Sequence, residues 1–131
     1  MKKIGIINSE LPRLISELGH TDTIVIADSG LPIPSDVKRI DPALNKGVPG
    51  FIETLETNLE EMQVEQFIVA EEMKEVSVEL FRETKQTLQG VPIRIMNHEQ
   101  FKQLTHQAKA IIRTGEFTPY ANIILQAGVT F

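Results

Sequence analysis

Two side chains able to move or hold protons flank one short apolar run. His20 lies just before Thr23-Ile24-Val25-Ile26-Ala27, and Asp28 follows that run directly. An imidazole titrates nearest neutral pH without special tuning, which makes His20 the best acid/base candidate of the chain. A carboxylate such as Asp28 accepts hydrogen bonds from hydroxyls or serves as a second proton-transfer partner. His98 and Lys102 stand four residues apart, a spacing that puts both on one side of a helix and within reach of a polyhydroxyl ligand. Tyr120-Ala121-Asn122 contributes the only tyrosine and a carboxamide, donors and acceptors suited to sugar hydroxyls. Plainer roles exist for each. His20 reads also as a helix-terminal imidazole, Asp28 as a cap for the turn at Ser29-Gly30, and Tyr120 as a corner residue with a satisfied hydroxyl. His98 and Lys102, taken on their own, read more readily as a solvated helix face. His106 has no constellation around it, and Glu71, Glu72 and Glu75 read as a solvated helix start because no histidine stands at metal-ligand spacing.

The elements that must position these groups alternate in type. The run Thr23 to Ala27 is continuously apolar and β-branched, as in a strand buried on both faces, and Asp28 stands at its carboxyl end. Ligand crevices of open α/β sheets lie outside such ends. Lys3 to Ile7 predicts a short strand or extended lead-in. Ser9 is placed to cap a helix carrying Leu11, Leu14, Ile15 and Leu18 on one face, with Gly19 as its left-handed terminator. A Pro-containing connection leads to Asn45, and a second amphipathic helix is expected within Gly47 to Met62. Gln66 to Ala70 predicts a strand, Ser77 to Leu88 a helix ending at Gly90, and Val91 to Met96 a strand. Asn97 with Gln100 makes a capping-box pattern for the helix bearing His98. Ala110 to Arg113 and Asn122 to Ala127 predict two last strands, joined by a loop that an Arg113–Glu116 ion pair would shape. The alternation argues a single three-layer α/β/α domain, residues 1–131, with a largely parallel central sheet.

Composition removes several function classes. A net charge of −5 disfavours a nucleic-acid surface, which needs clustered Lys and Arg. No apolar run reaches the roughly 20 residues of a membrane span, and the first residues are too polar for a signal peptide. The absence of cysteine excludes disulfides, thiolate catalysis and zinc–sulfur sites, and a cytoplasmic protein is the simplest expectation. Phosphate-cradling, dinucleotide-binding and serine-hydrolase motifs are absent as well.

Four stretches carry a resemblance: MKKIGIINS, LGHTDTIVIADSGLPIP, MNHEQFK and AIIRTGEFTPYANIILQAGVTF. Together they resemble the D-ribose pyranase family, the sugar mutarotases encoded with ribose uptake systems, over the full length of the chain. Ser29 departs from the alanine expected in many members, a small residue for a small one. The resemblance implies His20 as catalytic acid, with Asp28, His98 and Tyr120-Ala121-Asn122 as substrate contacts and Lys102 as a further one. It implies D-ribose as substrate, no cofactor or metal, and a cytoplasmic ring homo-oligomer, a decamer of two pentamers. Fucose mutarotases are relatives, so an L-fucose-type activity is the alternative sugar reading. A non-catalytic sugar-binding accessory of ribose transport is the alternative from outside the enzymes.

Overall fold

Side-chain alternation along the strands divides the core between two faces. Ile24 and Ile26 of the first strand pack in one apolar cluster, while Val25 and Ala27 pack in the other. Phe67 and Val69 against Ile68 and Ala70, and Ile123 and Leu125 against Ile124, repeat the same division. A computed structural model describes all 131 residues. In chain order the elements are α1 Glu10–Glu17, β1 Thr23–Ala27, β2 Lys38–Ile40, α2 Phe51–Leu59, β3 Val64–Ala70, α3 Glu71–Val76, α4 Val78–Thr87, β4 Ile93–Met96, α5 His98–Leu104, β5 Ala110–Arg113 and β6 Ile123–Ala127. A single 3₁₀ turn, Thr105–Gln107, follows α5.

The six strands form one sheet in the order β2-β5-β1-β6-β3-β4. β1 and β2 each pair parallel with β5, and β3 pairs parallel with β4. β6 alone runs the other way, antiparallel to β1 and β3 between them. The sheet is largely parallel, as expected. Leu11 and Leu14 of α1, Phe51 and Leu55 of α2 and Met73 of α3 cover one face. Phe101 of α5, together with Leu31 and Val37, covers the other. Phe101 has no exposure and fixes α5 to the sheet; burying such a side chain contributes about 1.5–3 kcal/mol. No helix is long and apolar enough to cross a membrane.

Several local expectations are corrected. Of the two readings of Lys3 to Ile7, the strand is not formed; the segment is an irregular lead-in, with Gly5 in the left-handed region at φ 79°. Asn8, not Ser9, caps α1, its Oδ1 accepting the Glu10 and Leu11 N–H groups at 2.9 and 3.2 Å. Ser9 has helical backbone angles, which withdraw its side chain from the capping position. Gly19 is not the left-handed residue of the following turn. That conformation falls on Thr21, at φ 71°. α2 is shorter than its apolar pattern, ending at Leu59, although Met62 still packs in the core. The Val91 to Met96 strand starts only at Ile93, whereas Glu71 and Glu72 open a helix, α3, as their reading as a helix start expected. Asn97 caps α5 as expected, accepting the Gln100 N–H at 2.9 Å.

Candidate active site

The reversal of β6 decides what meets at the ligand edge of the sheet. The carboxyl ends of parallel strands β1, β3 and β4 point one way, delivering Asp28, Glu71-Glu72 and Asn97-His98 there. Because β6 is antiparallel, its amino end reaches the same edge and brings Tyr120, Ala121 and Asn122. The result is a cleft of about 310 Å³ lined by Asp28, Gly30, Leu31, Pro32, His98, Pro119, Tyr120 and Asn122. Four of the residues singled out by chemistry alone therefore share one wall. It lies outside strand carboxyl ends, where α/β folds place ligands.

The polar groups of the cleft are held from behind. Asn122 Oδ1 accepts the Asp28 N–H at 2.8 Å, and its Nδ2 donates to Asp28 Oδ2 at 3.0 Å. Asp28 Oδ1 accepts the Gly30 N–H at 3.0 Å. Both oxygens of the carboxylate are thus oriented, with lone pairs remaining for hydroxyl donors. The His98 ring meets the Tyr120 ring edge-on, centroids 5.1 Å apart and planes at 79°. The His98 N–H donates to Glu72, 2.8 Å from Oε2, tying the start of α5 to the start of α3. Its buried Nδ1 has no hydrogen-bond partner in the protein. Tyr120 adopts φ 60°, rare for a bulky residue and concentrated at ligand-binding positions. Its carbonyl accepts the Asn122 N–H at 2.8 Å, closing a tight turn around the fully buried Ala121. Ala121 and Lys102 are outside the cleft lining. Lys102 sits one turn along α5, its Nζ 2.8 Å from Glu99.

Glu116 holds the adjoining loop. Its Oε1 accepts the Phe51 N–H at 3.0 Å, the first residue of α2, and its Oε2 accepts the Thr118 hydroxyl at 2.8 Å. Its carbonyl accepts the Ser29 N–H at 3.0 Å. Arg113 instead turns to Asp41, with contacts of 3.0 and 3.1 Å, so the expected Arg113–Glu116 pair is not formed. Burial pulls the Glu116 carboxyl upward, but the N–H and hydroxyl donors from Phe51, Thr118 and Phe117 outweigh it and hold the group below its ordinary range. A depressed folded-state pKa gives stability that is complete above the unfolded value, about 4.3, and lost as pH falls through the folded one. Replacing Glu116 by Ala should cost about 1 kcal/mol at neutral pH, the usual worth of a helix cap. In urea unfolding, the difference between wild type and variant should shrink as pH is lowered from about 5 towards 3. A constant difference would contradict the assignment.

His20 is elsewhere. It precedes β1, whereas Asp28 follows it, and the intervening strand spans roughly 16 Å at the ordinary rise per residue. At this opposite edge His20 Nε2 lies 2.9 Å from Glu65 Oε2. Glu65 and Gln126, which donates to Glu65 Oε1 at 2.7 Å, join the cluster although neither was marked by the sequence. A lone glutamate in a strand carries no chemical signature until the sheet register sets it against a histidine 45 residues away.

A model of the RbsD / FucU transport protein family matches residues 1–130. The D-ribose pyranase of Geobacillus kaustophilus (strain HTA426) is 53% identical over 131 residues, spanning 100% of this chain and 96% of that protein. The structure of Bacillus subtilis RbsD complexed with D-ribose is similar at a TM-score of 0.97 and 52% identity, covering 100% of both chains. The fucose mutarotase of Streptococcus pneumoniae, solved in complex with L-fucose, is similar at a TM-score of 0.81 and 28% identity over 95% of each chain. With its fold, its full length and its sequence all matched, the chain belongs to the RbsD / FucU transport protein family.

Proposed function

We propose that this protein is a D-ribose pyranase, an isomerase that interconverts the β-pyranose and β-furanose forms of D-ribose. The observation that carries this reading is similarity along the entire chain to proteins of that activity. The cleft supports it. Asp28, Tyr120 and Asn122 offer a fixed carboxylate, a phenol and a carboxamide to hydroxyl groups, and the unpartnered Nδ1 of His98 stands beside them. The higher identity to ribose-linked relatives than to the fucose mutarotase supports ribose as the sugar.

The reaction needs only proton transfers. A proton is delivered to the ring oxygen O5 while another leaves the anomeric hydroxyl, and the C1–O5 bond breaks to give the open aldehyde. Rotation about the chain presents the O4 hydroxyl to C1, and addition with the reverse proton movements closes the furanose. We assign proton delivery to His20 and hydroxyl recognition to Asp28, His98 and Tyr120-Ala121-Asn122, with Lys102 at the margin. Positioned acid/base catalysis typically supplies about 10²–10⁴-fold, a useful increment on a spontaneous exchange.

His20 reaches the cleft of a neighbouring copy in this reading, because a strand separates it from the cleft of its own chain. The assembly is a ring homo-oligomer, a decamer of two pentamers, working in the cytoplasm. Exposed Ile4, Ile7, Leu44 and Phe117 supply apolar surface for such contacts. Saturation-transfer NMR on D-ribose measures the exchange directly. Enhanced pyranose–furanose exchange at micromolar protein is the expected result, and no enhancement would overturn the assignment. Equal or faster exchange of L-fucose would transfer it to the fucose mutarotases.

A further inference from the structure

We infer that Glu65 is the positioning residue of His20, aimed by a β-bulge and steadied by Gln126. The inference rests on the proposed role of His20 as the acid. Four observations at one edge of the sheet converge on it.

The β3–β6 register pairs Val64 with Ala127 but Gln66 with Gln126, so Glu65 is the extra residue of the bulged strand. A bulge leaves its residue out of the ladder and re-aims its side chain, and such features gather beside active sites. The re-aimed carboxylate is shared between two donors, with Oε2 2.9 Å from His20 Nε2 and Oε1 2.7 Å from the Gln126 amide. Gly128 provides the room. A Cβ there would stand 3.0 Å from the Glu65 Cβ and 3.5 Å from its Oε2.

The histidine's own turn is the fourth observation. Thr21 is β-branched yet sits at φ 71°, a conformation that costs energy and needs support. β6 supplies that support. The Thr21 N–H donates to the Ala127 carbonyl at 2.9 Å, and the Ala127 N–H donates to the Asp22 carbonyl at 2.8 Å. The same short stretch, Gln126 to Gly128, thus holds both partners of the pair.

The chemistry follows from the ring. With Nε2–H directed at Glu65, Nδ1 diverges from it and is the nitrogen that carries the proton to and from the sugar. An ionised Glu65 stabilises the imidazolium and keeps the ring from turning. Its carboxyl is held below the ordinary range by the Gln126 amide first and by His20 second. Asp22, in the same turn, pairs with Lys109 at 3.7 Å and also accepts the Gly19 N–H. Glu65 is therefore the charged group in contact with the imidazole.

The test is Glu65→Gln, which keeps the shape and removes the charge, with ring assembly confirmed by sizing. Ribose binding should be retained, exchange should fall about fivefold, and the alkaline limb of the pH–rate profile should move to lower pH. Glu65→Asp should recover part of the profile shift, and Gln126→Leu should move the limb in the same direction by less. A wild-type rate and profile in Glu65→Gln, or a slower rate with an unmoved profile, would overturn the inference. Absence of exchange in wild type would instead overturn the proposed activity. Imidazole nitrogen chemical shifts of His20 would then decide the positioning role: a changed protonation pattern in Glu65→Gln supports it, and an identical one rejects it.

Discussion

Replacing His20 by Ala should lower ribose ring exchange by about 10²–10⁴-fold while leaving ribose binding measurable. The size follows from the chemistry rather than from affinity. Opening the pyranose requires a proton at O5 as the C1–O5 bond breaks, and an imidazole is the side chain best matched to that transfer near neutral pH. The proposed recognition groups are separate. Asp28, His98, Tyr120 and Asn122 line their cleft at the far end of β1, and Asn122 fixes the Asp28 carboxylate without any contribution from His20. The variant should consequently show a collapsed rate with an affinity changed far less. Titration calorimetry or ribose line broadening gives the affinity, and saturation transfer gives the rate on the same sample. An accessory that merely binds sugar has no exchange to lose. A variant that exchanges ribose as fast as wild type removes His20 from the mechanism, whatever happens to binding.

The sequence told more about which residues are candidates than about how they meet. Thr23 to Ala27 was legible as a buried strand because every residue is apolar or β-branched, and Asp28 at its carboxyl end followed from that reading. β2 was not legible. Only three residues long, with Lys38 and Arg39 exposed and Ile40 alone buried, it is an edge strand whose pairing with β5 leaves no periodic signal. The reversal of β6 was equally hidden, since an apolar run such as Ile123-Ile124-Leu125 has the same pattern in either direction. That reversal is what carries Tyr120 and Asn122 to Asp28. The cluster around His20 needed still finer information, a one-residue bulge at Glu65 and a left-handed Thr21, both decided by neighbouring strands rather than by local preference. Arg113 pairs with Asp41 rather than with the expected Glu116, a choice made by the β2–β5 pairing that sequence spacing does not contain.

Mixing two inactive variants should restore activity, and this is the sharpest consequence of the proposed shared site. His20 and the Asp28 cleft lie at opposite edges of one sheet, with β1 between them, roughly 16 Å of strand. Neither edge is free to swing. The His20 turn is bonded to Ala127 at the carboxyl end of β6, and Asn122 at the amino end of the same strand is bonded to Asp28. One chain therefore cannot fold its own imidazole over its own cleft, and the proposed ring, with subunits meeting head to tail, would supply the missing geometry. In the proposed ring the His20 edge of each subunit would face the Tyr120–Asn122 edge of the next. His20→Ala spoils one half of every site, and an inactivating Tyr120 replacement spoils the other. When the two are unfolded, mixed equally and reassembled, random neighbours should combine an intact His20 with an intact Tyr120 in about a quarter of sites. Exchange should then recover to about a quarter of the wild-type rate per chain, from a starting point near zero in each parent. Sites contained within single chains would recover nothing, because every chain carries one lesion. Rings of normal size with no regained exchange would therefore exclude a shared site, and with it the placement of His20 in its neighbour's cleft.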